Sequence, residues 1–217
     1  MLVSHKHKFI FIKSIKTAGT STEIFLEPYC VSHIEESHGR EMTQTEEGII
    51  GTRMNQMLAE MSEFYNHMPP YKIKNSIGEE KFNSYTKIIN VRNPFDMMVS
   101  HYYFKPTFDL YSRVEMSFED YLLKTNVVED LSKKYWDLMY IDNQFIVDEI
   151  VRFENLDSDI NKLLTKLNLP EPTRELSEYK KNKRRPDKDW KKMYSNETKD
   201  LVEKHFKFYM DLFDYQF

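Results

Sequence analysis

Two short apolar runs, each followed by a polar loop and the start of a helix, set the strongest limit on how this chain can fold. Residues 8–13 read KFIFIK and residues 86–91 read TKIINV. In both, apolar side chains follow one another without the alternation of a half-exposed strand, the pattern of strands covered on both faces. After the first run comes the polar stretch Ser14–Thr20. A helix over Ser21–Leu26 follows, with Thr20 or Ser21 placed to cap it and Glu23 in its first turn. After the second run come Arg92, Asn93 and Pro94, then a helix with Phe95, Met98, Val99 and Tyr102 on its buried stripe. A third strand candidate, IVDEIVRF at 146–153, precedes a helix carrying Leu156, Ile160, Leu163, Leu164 and Leu167 and stopped by Pro170. Strands alternating with helices predict an α/β fold in three layers, with a central, mostly parallel sheet flanked by helices. Further helices are predicted over 54–64, 71–77 and 118–123, and after a Ser195 cap. Residues 29–52 lack periodicity and read as irregular.

Composition narrows the class. A chain of 217 residues suits one large domain, taken here as 1–217. Its 31 Lys and Arg against 35 Asp and Glu leave a net charge of −4, which argues against a nucleic-acid-coating protein. Cys30 is the only cysteine, so neither an intramolecular disulfide nor a Cys-rich zinc site can form. The Phe9–Ile12 run is too short for a signal-peptide core, and no segment approaches the 18 or so apolar residues of a membrane span. The expectation is a soluble, cytoplasmic protein; oligomeric state is not legible.

Two motifs carry chemistry. The first, KSIKTAGTST over Lys13–Thr22, lies between a strand and a helix, where backbone N–H groups and the positive helix end can hold a phosphate. Gly19 permits close backbone approach, Thr17, Thr20, Ser21 and Thr22 add hydroxyls, and Lys16 adds a charge. It is not a Walker loop, because the lysine precedes the only glycine. The second, VRNPFDMMVS over Val91–Ser100, puts Arg92 at a strand end and Ser100 two turns into the helix. A guanidinium and a hydroxyl so placed can share one phosphate; equally, Arg92 can be capped by a local carboxylate such as Asp96.

KTAGTS after a first strand and VRNPxDxxxS about seventy residues later together resemble the PAPS-dependent sulfotransferase family, and more closely its carbohydrate-sulfotransferase branch. Residues 82–104, 146–170 and 201–217 support the likeness, which runs nearly end to end, weakest over 29–65. The resemblance implies a P-loop-like fold and 3′-phosphoadenosine 5′-phosphosulfate (PAPS) as co-substrate. It assigns the 5′-phosphosulfate to Lys16, Thr17, Ala18, Gly19, Thr20 and Ser21, and the 3′-phosphate to Arg92 and Ser100. Two departures stand out: Ile15 replaces a usual proline, and Met97 a frequent arginine. The run KKNKRRPDKDWKK over Lys180–Lys192 holds eight cations against two aspartates. In similar enzymes a basic loop closes here on the 3′-phosphate, which points to Arg184 or Arg185; otherwise the run is a solvated loop.

Sulfuryl transfer to a hydroxyl needs a base, and histidine suits the task. Of seven histidines, His5 and His7 sit on the N-terminal fringe, while His101 and His205 lie on helices and read as structural. His67, before Pro69-Pro70, looks like the family's base, with His33, His38, Glu23, Glu35 and Glu36 as alternatives. The expected reaction is in-line transfer to an acceptor hydroxyl, on a carbohydrate or glycoconjugate, with His67 taking the proton and Lys16 neutralising the leaving oxygen. No metal is expected. A nucleotide or small-molecule kinase, and a non-catalytic module binding nucleotide or sulfated glycan, remain open as alternatives.

Overall fold

The computed structural model describes residues 1–37, 39–53, 61–104, 116–176 and 189–217. Along the chain run β1 (Leu2–Ser4), β2 (Phe9–Ile12), α1 (Gly19–Leu26), β3 (Thr43–Gln44), β4 (Gly48–Ile50), α2 (Pro70–Ile77), α3 (Glu79–Ser84), β5 (Thr86–Val91) and α4 (Pro94–Phe104). There follow α5 (Phe118–Leu123), α6 (Val127–Met139), β6 (Tyr140–Ile141), β7 (Gln144–Phe145), β8 (Glu149–Arg152), α7 (Leu156–Lys166) and α8 (Asn196–Phe213). The chain forms two compact units, Met1–Val91 with Trp136–Tyr179 and Arg92–Tyr135 with Lys180–Phe217.

The first unit holds a six-stranded mixed sheet in the order β3-β4-β1-β2-β5-β8, and with its helices gives the expected three-layer α/β architecture. The parallel part is β2-β5-β8, with Phe9 opposite Thr86 and Ile88 opposite Glu149. These are the three strands that the apolar runs predict. An antiparallel wing, β1, β4 and β3, extends the other side. Its strands are two or three residues long and arise partly from the stretch read as irregular, too short to show a period. Gly48 is needed there: a Cβ would lie 2.3 Å from the Val3 carbonyl oxygen. Phe9 and Phe11 point into a cluster with Phe25 and Leu26 of α1 and Ile160 and Leu163 of α7. Ile10 and Ile12 point to the opposite face and are also fully buried, so β2 is covered on both sides as its sequence requires.

β8 begins at Glu149, three residues later than expected. The Ile146 N–H goes instead to the Met139 carbonyl, and the Asp148 carboxylate accepts the Lys87 N–H at 2.8 Å. The helix expected over 54–64 lies mostly outside the described residues; Met61 is exposed and Phe64 buried.

A buried ionic network ties α1 to the loops around it. Glu23 and Glu27, one turn apart, are both fully buried. Glu23 accepts from Lys13 (2.6 Å), Arg53 (3.0 Å) and the Met1 ammonium (2.5 Å). Glu27 pairs with Arg53 and with Arg174 (3.1 Å). The arginines also reach backbone carbonyls of Ile24, Ile34 and Ser37, closing the segment around residues 34–37 onto the helix.

In the second unit Asn93 starts α4: its side chain accepts the Phe95 N–H at 3.0 Å and its carbonyl the Met97 N–H at 2.9 Å. Phe95 packs parallel to Trp190 and edge-on to Tyr194 and Phe217. Ser195 caps α8 in a reciprocal arrangement with Thr198, as its position predicts.

Candidate functional site

Residues 13–18 connect β2 to α1 in a tight wrap. Lys16 and Ala18 have φ of 59° and 63°. Left-handed backbone is unfavourable for residues with a Cβ, so it persists only where neighbours hold it. They do so here through β5. The Ser14 hydroxyl donates to the Asn90 carbonyl at 2.6 Å. Its single proton is thereby used, so Thr17 Oγ1 is the donor in the 2.6 Å contact between the two hydroxyls. Asn90 Nδ2 donates to the Thr17 carbonyl at 3.1 Å and to Thr22 Oγ1 at 2.7 Å.

α1 starts at Gly19 rather than Ser21. Its cap residue is the left-handed Ala18, with no side-chain capping bond, so the expected Thr20 or Ser21 cap does not form. Both residues lie inside the first turn and are largely buried. Gly19 is required because a Cβ would come within 3.0 Å of Lys13 Cγ and 3.1 Å of the Ser14 carbonyl oxygen. Positive φ in a loop that enters a helix N-terminus is a backbone pattern that gathers N–H groups around an anion. Lys16, Thr17, Ala18, Gly19, Thr20 and Ser21 are all brought together on this one turn. The donor set suits a phosphosulfate: amides, hydroxyls and a partly exposed lysine, with no carboxylate of their own.

Lys13 forms the root of the loop and organises its surroundings. Its ammonium donates to Glu23 and, at 3.0 Å, to Asn66 Oδ1. Its carbonyl lies 2.9 Å from His67 Nδ1. A carbonyl only accepts, so Nδ1 carries the proton and Nε2 presents a lone pair. His67 has φ of 57° and is partly buried. Burial, and after it the Lys13 ammonium, push its pKa down to about 3.

Glu23 does not serve as an alternative base. It is fully buried against three cations, and Lys13 leads the charges that hold its carboxyl far below the usual range despite the opposing effect of burial. Glu35, Glu36 and His33 are exposed, and His38 lies outside the described residues. His101 contacts the Tyr121 hydroxyl at 2.7 Å, in keeping with a structural role.

In the second unit, Arg92 lies just after β5. Its Nε and Nη2 donate to Asp96 Oδ2 at 2.8 and 2.6 Å, and its backbone N–H donates to the Tyr209 hydroxyl at 3.0 Å. The local-carboxylate reading of this arginine is thus realised, and the pair fixes the guanidinium on the first turn of α4. Ser100 lies two turns along the same helix and is mostly buried. Met97 is buried at 1 % exposure, so this position packs as core where a relative's arginine would carry charge. Arg184 and Arg185 lie outside the described residues. Of the neighbouring Asp-Trp-Lys, Asp189 caps a 3₁₀ turn and Trp190 packs on Phe95.

Sequence reasoning passed over Lys13, Asn66 and Asn90. Asn90 carried a signal: a polar side chain inside an otherwise apolar buried strand must have a partner. Lys13 and Asn66 carried none, since their pairing depends on two loops meeting. Among the described residues, no group of three or more His, Cys, Asp or Glu side chains is placed to hold a metal ion.

An uncharacterized protein of Archaeoglobus fulgidus is 31 % identical over 104 residues, 48 % of this chain and 85 % of that protein. No solved structure matches the chain. A family model described as the sulfotransferase family matches residues 1–216, taking in both the loop after β2 and the segment after β5. On that match the chain belongs to the sulfotransferase family.

Proposed function

We propose that the protein transfers the sulfuryl group of PAPS to a hydroxyl of a carbohydrate or glycoconjugate by in-line displacement. Membership of the family supports PAPS-dependent transfer in general. The carbohydrate acceptor rests on the resemblance of the two motifs. The family match spans both units, which supports taking 1–217 as one functional domain.

The observation that carries the reading is the bond between His67 Nδ1 and the Lys13 carbonyl at the root of the loop. It fixes the tautomer with the proton on Nδ1, while burial and the Lys13 ammonium keep the ring neutral, so that Nε2 carries the lone pair beside the loop assigned to the phosphosulfate. In the proposed step the acceptor oxygen forms a bond to sulfur while the bond from sulfur to the 5′-phosphate oxygen breaks. The hydroxyl proton goes to His67 Nε2. Lys16 neutralises charge on the leaving oxygen, and the loop amides, that of Thr17 included, hold the 5′ end together with the Thr20 and Ser21 hydroxyls; the Thr17 hydroxyl is buried and donates to Ser14. Arg92 and Ser100 take the 3′-phosphate, with Arg184 or Arg185 as further contacts. Positioning and charge neutralisation supply the catalysis, and no metal is invoked. A kinase reading is disfavoured because the loop lacks the Gly-Lys order of a Walker motif.

The test is incubation with radiolabelled PAPS and a panel of glycans, glycolipids and small hydroxylated metabolites. Label transfer to a sugar hydroxyl is expected. Transfer only to non-sugar acceptors would overturn the acceptor class, and no transfer to any would overturn the enzymatic reading.

A further inference from the structure

We infer that Asn90 is a positioning residue for the phosphosulfate loop, acting through Thr17 and Thr22 to hold Lys16 in place. The inference rests on the function proposed above. Asn90 is fully buried in β5, where its neighbours Ile88, Ile89 and Val91 are apolar. Its Nδ2 makes two donations of different kinds. One goes to the carbonyl of Thr17, the residue between the two left-handed positions Lys16 and Ala18. The other goes to the Thr22 hydroxyl, one turn into α1. Its own carbonyl accepts from Ser14, which in turn accepts from Thr17. One strand residue therefore grips the loop before, within and after its unfavourable backbone.

Asparagine carries a penalty of its own here. Its Oδ1 is buried with no hydrogen-bond partner among the described residues, and a buried acceptor left unpaired is destabilising. An apolar side chain of similar size would avoid that penalty and continue the strand's pattern, but it would leave the Thr17 carbonyl without this donor. What such a residue would lose is the hold on the Thr17 carbonyl and the Thr22 hydroxyl, and with it the backbone that presents Lys16. Lys16 would then lie displaced from the oxygen it neutralises, and displacements of about 1 Å can lower turnover by about 10²-fold.

The experiment uses the full chain with Asn90→Ala and with Thr22→Val, a near-isosteric change that removes one acceptor and little volume. Both should lower turnover at saturating PAPS, Asn90→Ala by about 10–10²-fold and Thr22→Val by less. Both should weaken 3′-phosphoadenosine 5′-phosphate in calorimetry and speed amide hydrogen exchange over residues 14–19. The separating test is non-additivity: in a Lys16→Ala background, Asn90→Ala should lower turnover by no more than about 2-fold, because the group it positions is already gone. Losses that multiply in the double variant, or single variants with wild-type turnover, nucleotide affinity and exchange, would overturn the inference. Wild-type protein that neither binds the nucleotide nor transfers sulfuryl would overturn the underlying function instead, so the two failures are distinct.

Discussion

His67 owes its assigned role to one backbone contact, and that contact sets measurable behaviour. The Nδ1–H bond to the Lys13 carbonyl makes Nε2 the basic atom, and burial with the Lys13 ammonium keeps the ring neutral. Substitution by alanine should lower turnover by about 10²-fold, the low end for a positioned base, because a pKa of about 3 leaves Nε2 a weak proton acceptor. Affinity for 3′-phosphoadenosine 5′-phosphate should be largely unchanged, because His67 is assigned to the acceptor side. Lys16→Ala should also lower turnover far more than nucleotide affinity, since its charge matters most where charge develops on the leaving oxygen. The pH profile follows from the depressed pKa of about 3. The required neutral form persists well below 6.5, so kcat/KM should show no acid limb near 6.5. A limb there that disappears in His67→Ala would contradict the burial and the Lys13 contact. Stability gives an independent reading. Below 6.5 the unfolded chain takes up a proton at His67 that the folded chain refuses until about 3. The folded state therefore loses up to about 1.4 kcal/mol per pH unit as pH falls through that window. His67→Gln should remove this part of the slope in urea titrations at pH 6.5 and 5; identical slopes in both proteins would rule the shift out.

At the scale of elements, the turn from β2 into α1 is governed by close approach. Gly19→Ala would push a Cβ against Lys13 Cγ and the Ser14 carbonyl oxygen. Overpacking of this kind costs about 1–3 kcal/mol, to be read as a lowered denaturation midpoint with unchanged m. Ser195→Ala should remove the α8 cap for about 1 kcal/mol and leave turnover near normal; equal effects of the two substitutions on turnover would contradict the placing of Gly19 in the loop. The sequence made the parallel strands and the helices after them legible, because Phe9–Ile12 is apolar throughout, Thr86–Val91 is centred on Ile88 and Ile89, and α7 and α8 have clear stripes. The antiparallel wing was not legible, since its strands are only two or three residues long and have no period to detect. The start of α1 was misread for a related reason. Thr20 and Ser21 have the chemistry of caps, but the left-handed Ala18 begins the helix earlier, and that backbone is held by Asn90 from another strand. Motif chemistry was visible at Lys16, Gly19 and Arg92. The contacts that hold it, from Lys13, Asn66 and Asn90, join segments more than fifty residues apart and belong to tertiary structure.

For the whole molecule, the two proposed anion sites make a joint thermodynamic prediction. A ligand that binds only the folded chain stabilises it by RT ln(1 + [L]/Kd), about 2.7 kcal/mol at a concentration of 100 Kd. For a chain of 217 residues each kcal/mol raises the unfolding temperature by about 2–4 °C. 3′-Phosphoadenosine 5′-phosphate at 100 Kd should therefore raise the midpoint by roughly 5–10 °C. AMP at the same concentration lacks the 3′-phosphate assigned to Arg92 and Ser100 and should give a much smaller shift. Arg92→Ala should reduce the response to 3′-phosphoadenosine 5′-phosphate towards that of AMP. Because the substitution also leaves Asp96 without its ion-pair partner, each variant is compared with its own ligand-free midpoint. Lys16→Ala should keep most of the shift, since its proposed contribution is to the leaving oxygen rather than to product affinity. Equal shifts with 3′-phosphoadenosine 5′-phosphate and AMP in wild type would remove the 3′-phosphate assignment. A larger shift with ATP and Mg²⁺ than with either would instead favour phosphoryl transfer, and with it the kinase reading that the order of Lys16 and Gly19 speaks against.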